Sequence, residues 1–258
     1  VMLLVLIMMM NLLGMGGTNT VLSFDLGIIN VQPAELAKFT VLLALCGYVA
    51  DERSEVLEYH RFVIGLVLVG VPVGLMILQP DLGSATVPLA MMVGVTWVAG
   101  ARLRYLFMIF ALSTATIASA VFSGLVNDYQ LKRFAVFFDQ NSKDERLRDV
   151  AYQGRNAVRA LATGGLTGRG WLQGPITNAS KDIPVQWADF PFSAVGEQFG
   201  MVGAVVVIGL YSVVLLRVWR IAQLSKDMLG TLLCAGVFSM VLWQVFQNVA
   251  MTIGVMPI

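Results

Sequence analysis

A single histidine, His60, and two cysteines, Cys46 and Cys234, are the whole supply of imidazole and thiol in this chain. With no CxxC pair and no second histidine, a Cys/His metal centre is excluded. Both cysteines stand inside apolar runs, where a thiol behaves as a small buried hydrophobe. Nucleotide-binding glycine motifs are missing as well. GGLTGRG at 164–170 lacks the Lys-Ser/Thr ending that holds a phosphate, so no nucleotide or organic cofactor and no nucleic-acid partner is expected. Charge is scarce too. Only 13% of residues are Asp, Glu, Lys or Arg, about half the share found in soluble domains.

What the chain has instead is apolar sequence, with 57% hydrophobic residues and a mean hydropathy of +0.78. These residues come in blocks rather than at amphipathic spacing. Apolar stretches of about 17–25 residues cross a hydrocarbon core of about 30 Å as helices. Seven blocks can be marked, at 1–16, 33–50, 62–79, 84–100, 105–126, 190–216 and 229–258. The pattern predicts an all-α polytopic membrane protein, a multi-pass transmembrane helix bundle. The first block starts at Val1 with no initiator Met and no basic n-region, and the last runs out in apolar sequence at Ile258. The expectation is a single transmembrane domain over 1–258 that is an internal fragment of a larger protein.

Positive charge sets the orientation. The connectors 51–61, 101–104 and 217–228 carry Arg53, Arg61, Arg102, Arg104, Arg217, Arg220 and Lys226, whereas 17–32 and 80–83 carry no Lys or Arg. By the positive-inside rule the basic set is cytoplasmic. The long loop 127–188 then lies outside, together with the 17–32 and 80–83 connectors.

Several polar features interrupt the apolar pattern. Pro33 suits the first turn of a helix, where a missing N–H costs nothing. Glu35 and Lys38 follow, three apart on one face, either as an ion pair snorkelling to the interface or as a charged wall of a cavity. Asp81 either helps a tight Pro-Asp-Leu-Gly turn or adds an acid to the outer face, beside Asp25 and Asp189. Within the loop, Val150, Gly154, Ala157, Val158 and Leu161 form one helical stripe, with Arg148, Arg155 and Arg159 roughly opposite. This predicts an amphipathic helix along the outer membrane surface, whose arginines form either a solvated face or a phosphate-binding stripe.

The stretch IPVQWADFPFSAVGEQFG at 183–200 poses the sharpest question. Asp189, just before Phe190-Pro191, is a natural helix N-cap, and the same side chain meets the aqueous mouth of the bundle as a candidate general base. Glu197 lies two turns deeper, and a lone acid in a membrane span needs a partner or water. On an ideal helix it is offset by about 80° from Asp189, so both could border one cavity. Gln244, Gln247 and Asn248 in the last block are amides of the kind that bond across helices.

Taken in order, these motifs resemble the shape, elongation, division and sporulation (SEDS) family of cell-wall polymerases, the RodA/FtsW type. DLG…QPAELAK at 25–38 is similar to the family's DLG…QPSELAK, and LQPDLGSA at 78–85 to its LQPDLGTA. The run RF…F…YQGRNAVRALATGGLTGRG, from Arg133 to Gly170, is similar to its large outer-loop signature. IPVQWADFPFSAVGEQFGMVG resembles LPE-HTDFIFAVIGEELGFLG, and NVAMTIGVMPI resembles NIGM…GLLPVTGIPLP. The chain departs from the family at Leu22-Ser23, where Arg-Trp is usual, at Asn30-Val31, near a usual Arg, and at Trp187-Ala188, in place of His-Thr. Most of these changes fall in the outer connector between the first two blocks, where they bear on substrate affinity or activity.

The resemblance implies about ten membrane helices in the whole protein, with the seven blocks here as the third to ninth. It implies a glycosyltransferase in the bacterial cytoplasmic membrane that polymerises lipid II into peptidoglycan strands at the outer leaflet. Asp189 would be its base. Arg133, Gln153, Arg155, Arg159, Glu35, Lys38, Asp81 and Glu197 would line the substrate, with Arg148 a further arginine facing the diphosphate. A divalent cation, Mg or Mn, and a class B penicillin-binding protein as transpeptidase partner are the family expectation, alongside contacts with membrane lipids. The metal's ligands are unassigned. Two alternatives stay beside this reading: a flippase for the lipid-linked precursor, and a non-catalytic scaffold for wall-synthesis proteins, which the missing Arg-Trp makes conceivable.

Overall fold

The structure, a computed structural model, describes residues 24–25, 30–50, 58–79, 81–122, 145–178 and 190–256. The block at 1–16 and the residues Arg133 and Asp189 lie outside the described residues, as do the side chains of Asp25, Arg148 and Gln153.

A two-residue antiparallel ladder, β1 (Phe24–Asp25) with β2 (Asn30–Val31), precedes the first described helix. Pro33 then opens α1 (Pro33–Ala50), followed by α2 (Tyr59–Leu78), α3 (Leu82–Val98) and α4 (Leu103–Phe122). The loop helix α5 (Glu145–Gly164) and the short α6 (Pro175–Asn178) come next, before α7 (Pro191–Leu224) and α8 (Met228–Thr252). Among the described residues α1, α2, α7 and α8 are long and apolar enough to cross a membrane, and α3 and α4 contribute shorter apolar stretches. The chain is an all-α multi-pass membrane bundle, as its hydrophobic blocks predict.

Two compact units emerge from the packing: Val1–Leu125 with Arg217–Val241, and Val126–Leu216 with Leu242–Ile258. In the first, α1, α2 and α3 pack on one another and α4 packs on α3. Leu45, Cys46, Val69, Met76, Met91 and Val95 are fully buried at its centre. Lipid tails are as apolar as these side chains, so close packing rather than water exclusion holds such helices together. Gly94 shows how close: a Cβ there would collide with the Ser239 side chain. Phe62 stacks on Tyr105 at 4.7 Å between ring centroids. On the basic side of the bundle, the Arg61 guanidinium donates to the Tyr48 carbonyl at 3.3 Å and lies over the Tyr48 ring.

The second unit is organised around Ala157 of α5 and Phe190, both fully buried, with Ile176 and Met251 packed against them. The predicted amphipathic helix is present, and its buried face matches the expected stripe in part: Ala157 is buried, and Gly154 and Leu161 are half-buried. Asn156, Ala157 and Ala160 are buried, whereas Val158 is 40% exposed. Small residues point inward because α5 lies close against protein, where a Val would not fit as an Ala does.

Candidate functional site

The N-terminal ends of α1 and α3 carry polar side-chain contacts. Lys38 and Glu35 form an ion pair at 2.6 Å, with the lysine side chain 3% exposed and the glutamate 49% exposed. The pair therefore runs from the interior to the open surface: the ammonium is desolvated and its partner faces the medium. Asp81 caps α3 by accepting the Ser84 N–H at 3.1 Å, and its other oxygen accepts from Gln32 Nε2 at 3.4 Å. Gln32, which directly precedes Pro33, thus ties the start of α1 to the start of α3. The ion pair and the turn that the sequence allowed at these positions are both formed.

In the second unit the site is built on a broken helix. Gly200 has φ 66° and ψ −160°, so α7 is interrupted there. This is backbone territory that side chains with a Cβ essentially never enter. An unbroken helix would bond the Met201 and Val202 amides to the Glu197 and Gln198 carbonyls. Instead the Met201 N–H donates to Gly165 O at 2.9 Å and the Val202 N–H to Leu166 O at 3.2 Å. The two released carbonyls accept from the same loop, Glu197 O from Arg169 N–H and Gln198 O from Gly170 N–H, each at 3.0 Å. GGLTGRG is therefore a wedge of backbone seated in a helix break. These two amides and two carbonyls are thus satisfied by the loop, as non-helical backbone inside a membrane bundle requires. Gly168 allows the seating: at φ 81°, with a would-be Cβ running into the Gln198 carbonyl and Phe199 Cα, it tolerates no side chain.

Side chains on the short N-terminal half of α7 hold the rest of the loop. Glu197 is completely buried, and its Oε1 accepts the Ile176 N–H at 2.8 Å. Gln198, also buried, accepts the Leu172 N–H at 3.3 Å through its side-chain oxygen. Leu172 sits at φ 56°, an uncommon backbone for a leucine, which this bond helps to hold. The sequence singled out Glu197 but not Gln198, Gly200 or Ile176. Their signal was the run of closely spaced glycines at 164–174 opposite those at 196 and 200, which only close backbone contact explains.

The remaining candidates fall as follows. Arg155 is partly exposed on α5 and Arg159 is exposed, one helical turn further on. Among the described residues no group of three or more His, Cys, Asp or Glu is arranged to hold a metal ion. Asp81 has both oxygens engaged by protein donors.

A family model for the FtsW, RodA and SpoVE cell cycle proteins matches residues 1–258. The chain belongs to this family. It is 32% identical to a probable peptidoglycan glycosyltransferase FtsW from Thiomicrospira cyclica, over 235 residues that cover 89% of this chain and 58% of that protein. It is 29% identical to the peptidoglycan glycosyltransferase MrdB of Escherichia coli K12, over 91% of this chain and 62% of that one. Among solved structures it resembles a peptidoglycan synthase complex described as coordinating polymerization and crosslinking, with a TM-score of 0.72, 26% identity, 99% coverage of this chain and 70% of that chain. The rod shape determining protein RodA of Thermus thermophilus shares the fold, with a TM-score of 0.58 at 24% identity, 96% coverage of this chain and 64% of that one. The chain spans about three-fifths of the length of the curated relatives it matches, 58% and 62%. It is a multi-pass protein of the cytoplasmic membrane.

Proposed function

We propose that the protein carrying this chain is a peptidoglycan glycosyltransferase that polymerises lipid II at the outer face of the membrane. One observation carries the reading: in a chain of this family, Asp189 falls directly before Phe190 and Pro191, where the broken α7 begins. The acid would accept the proton of the acceptor sugar's 4-hydroxyl. The freed oxygen attacks the anomeric carbon of the donor, and the carbon–oxygen bond to undecaprenyl diphosphate breaks. The position at the membrane edge suits this chemistry, because the donor's lipid tail belongs in the bilayer and its sugar in water. Arg133, Gln153, Arg155 and Arg159, with Arg148, are assigned to the diphosphate and sugar, since guanidinium groups pair bidentately with phosphate oxygens. Glu35, Lys38 and Asp81 are the further candidates for contact with the substrate.

A divalent cation, Mg or Mn, belongs to the reading as a counter-charge for the diphosphate. Among the described residues no group of three or more His, Cys, Asp or Glu is arranged to hold it. The partners are lipid II, a class B penicillin-binding protein and the surrounding lipids, in keeping with the similarity to a complex that couples polymerization and crosslinking.

The broken α7 favours one second reading, a transporter of the lipid-linked precursor, since transporters place discontinuous helices at their substrate sites. Full-length protein with its transpeptidase partner, in proteoliposomes holding lipid II, separates the two. Glycan strands are expected. Lipid II that crosses the bilayer without strand formation would overturn the polymerase reading.

A further inference from the structure

The geometry points to Glu197 as a positioning residue for Asp189, acting through the Ile176 backbone and the buried Phe190 rather than by touching substrate. This rests on Asp189 being the base. Glu197 is fully buried, and its carboxyl group grips the Ile176 N–H at 2.8 Å. Gly174 closes the grip from the other side, since a Cβ there would come within 2.6 Å of the Glu197 carboxyl carbon and 2.7 Å of its Oε2. Ile176, so held, packs against the cluster of Ala157 and Phe190. Phe190 is itself pinned: it is fully buried, and its carbonyl accepts both the Ser193 N–H at 3.0 Å and the Ser193 hydroxyl at 2.8 Å. Asp189 is the residue covalently attached to Phe190.

The chain of contacts therefore ends one peptide bond from the proposed base. Packed interiors transmit displacement because they contain little free volume. Loosening Glu197 frees Ile176 and weakens the packing of the cluster that holds Phe190, the residue to which the proposed base is attached. A base displaced by about 1 Å costs on the order of 10²-fold in rate. An acid that bound lipid II directly would instead raise KM when removed.

Lipid II polymerisation by the full-length protein with its partner tests this, with kcat and KM measured separately. Glu197→Ala is expected to lower kcat by about 10- to 100-fold with KM unchanged. Gly174→Ala, which leaves the carboxyl group in place but pushes it aside, is expected to do the same, and it serves alone where Glu197→Ala fails to fold. Combining either change with Asp189→Asn should slow the reaction no further than Asp189→Asn does alone. A raised KM at unchanged kcat, wild-type kinetics in Gly174→Ala, or multiplicative losses in the double variant would each overturn the positioning role. Failure of the base reading looks different: Asp189→Asn would then polymerise at the wild-type rate whatever Glu197 does.

Discussion

The amide of Arg169 donates to the carbonyl of Glu197 at 3.0 Å, in the place that Met201 would occupy in a continuous helix. A loop far earlier in the chain thus completes the hydrogen bonding of a membrane helix. Loop and helix half are one structural piece, and each loses its satisfied backbone without the other.

The break should depend on Gly200. Alanine there would hold a Cβ at φ 66° and within 2.6 Å of the Leu166 carbonyl group. Gly200→Ala is expected to cost at least about 2 kcal/mol from backbone strain and collision. Gly209→Ala in the same helix, with nothing within 4 Å of the added Cβ, should be neutral or slightly stabilising. Thermal unfolding in detergent compares the two, and equal melting temperatures would count against the wedge.

The Glu35–Lys38 pair should behave as a half-buried one. Removing Glu35 alone strands an ammonium that is 3% exposed. Its cost should lie between that of surface and buried pairs, about 2 kcal/mol. Lys38→Met together with Glu35→Gln should recover most of that loss, because no charge is then left inside. Unfolding of the single and double variants measures the coupling.

Asp81 separates capping from substrate contact. Asp81→Asn keeps an oxygen for the Ser84 N–H and gives up only the long Gln32 contact, so it should cost less than Asp81→Ala, which should lose about 1 kcal/mol. If the acid also faces lipid II, Asp81→Asn should weaken lipid II binding by more than its small change in stability explains. Unchanged binding would leave Asp81 as a cap that joins α3 to Gln32.

Orientation can be read with a membrane-impermeant maleimide on intact cells, in a background lacking Cys46 and Cys234. Cysteine at Ser142 should label and cysteine at Lys226 should not, because the basic connectors are cytoplasmic. The reverse pattern would place the broken helix mouth on the wrong side for a lipid-linked donor.

Much of this architecture was legible in the sequence. The block at 33–50 coincides with α1, and Pro33 sits at its first position for the reason proline usually does. Asp81 announced a turn and proved to be the cap of α3. What the sequence hid is instructive. The last apolar stretch but one read as a continuous span over 190–216, yet α7 breaks at Gly200 and continues to Leu224. Glycine is frequent in membrane helices, so nothing at the residue level distinguishes a packing glycine from one with positive φ. Glu197 looked like an acid in need of a partner or water. One of its partners is a backbone N–H, which leaves no trace in side-chain spacing. The face of α5 was legible in part: Ala157 of the expected stripe is fully buried, but Val158 is 40% exposed, and Ala160, which a hydrophobic pattern weighs lightly, is fully buried.

The most direct measurement is the rate at which the full-length Asp189→Asn protein, with its transpeptidase partner, polymerises lipid II. Asparagine keeps the size and capping ability of the side chain but cannot take a proton from the acceptor hydroxyl. A fall of about 10²- to 10⁴-fold in kcat, with folding and lipid II binding retained, is the expected result. Polymerisation at the wild-type rate would contradict it and turn the reading toward lipid transport.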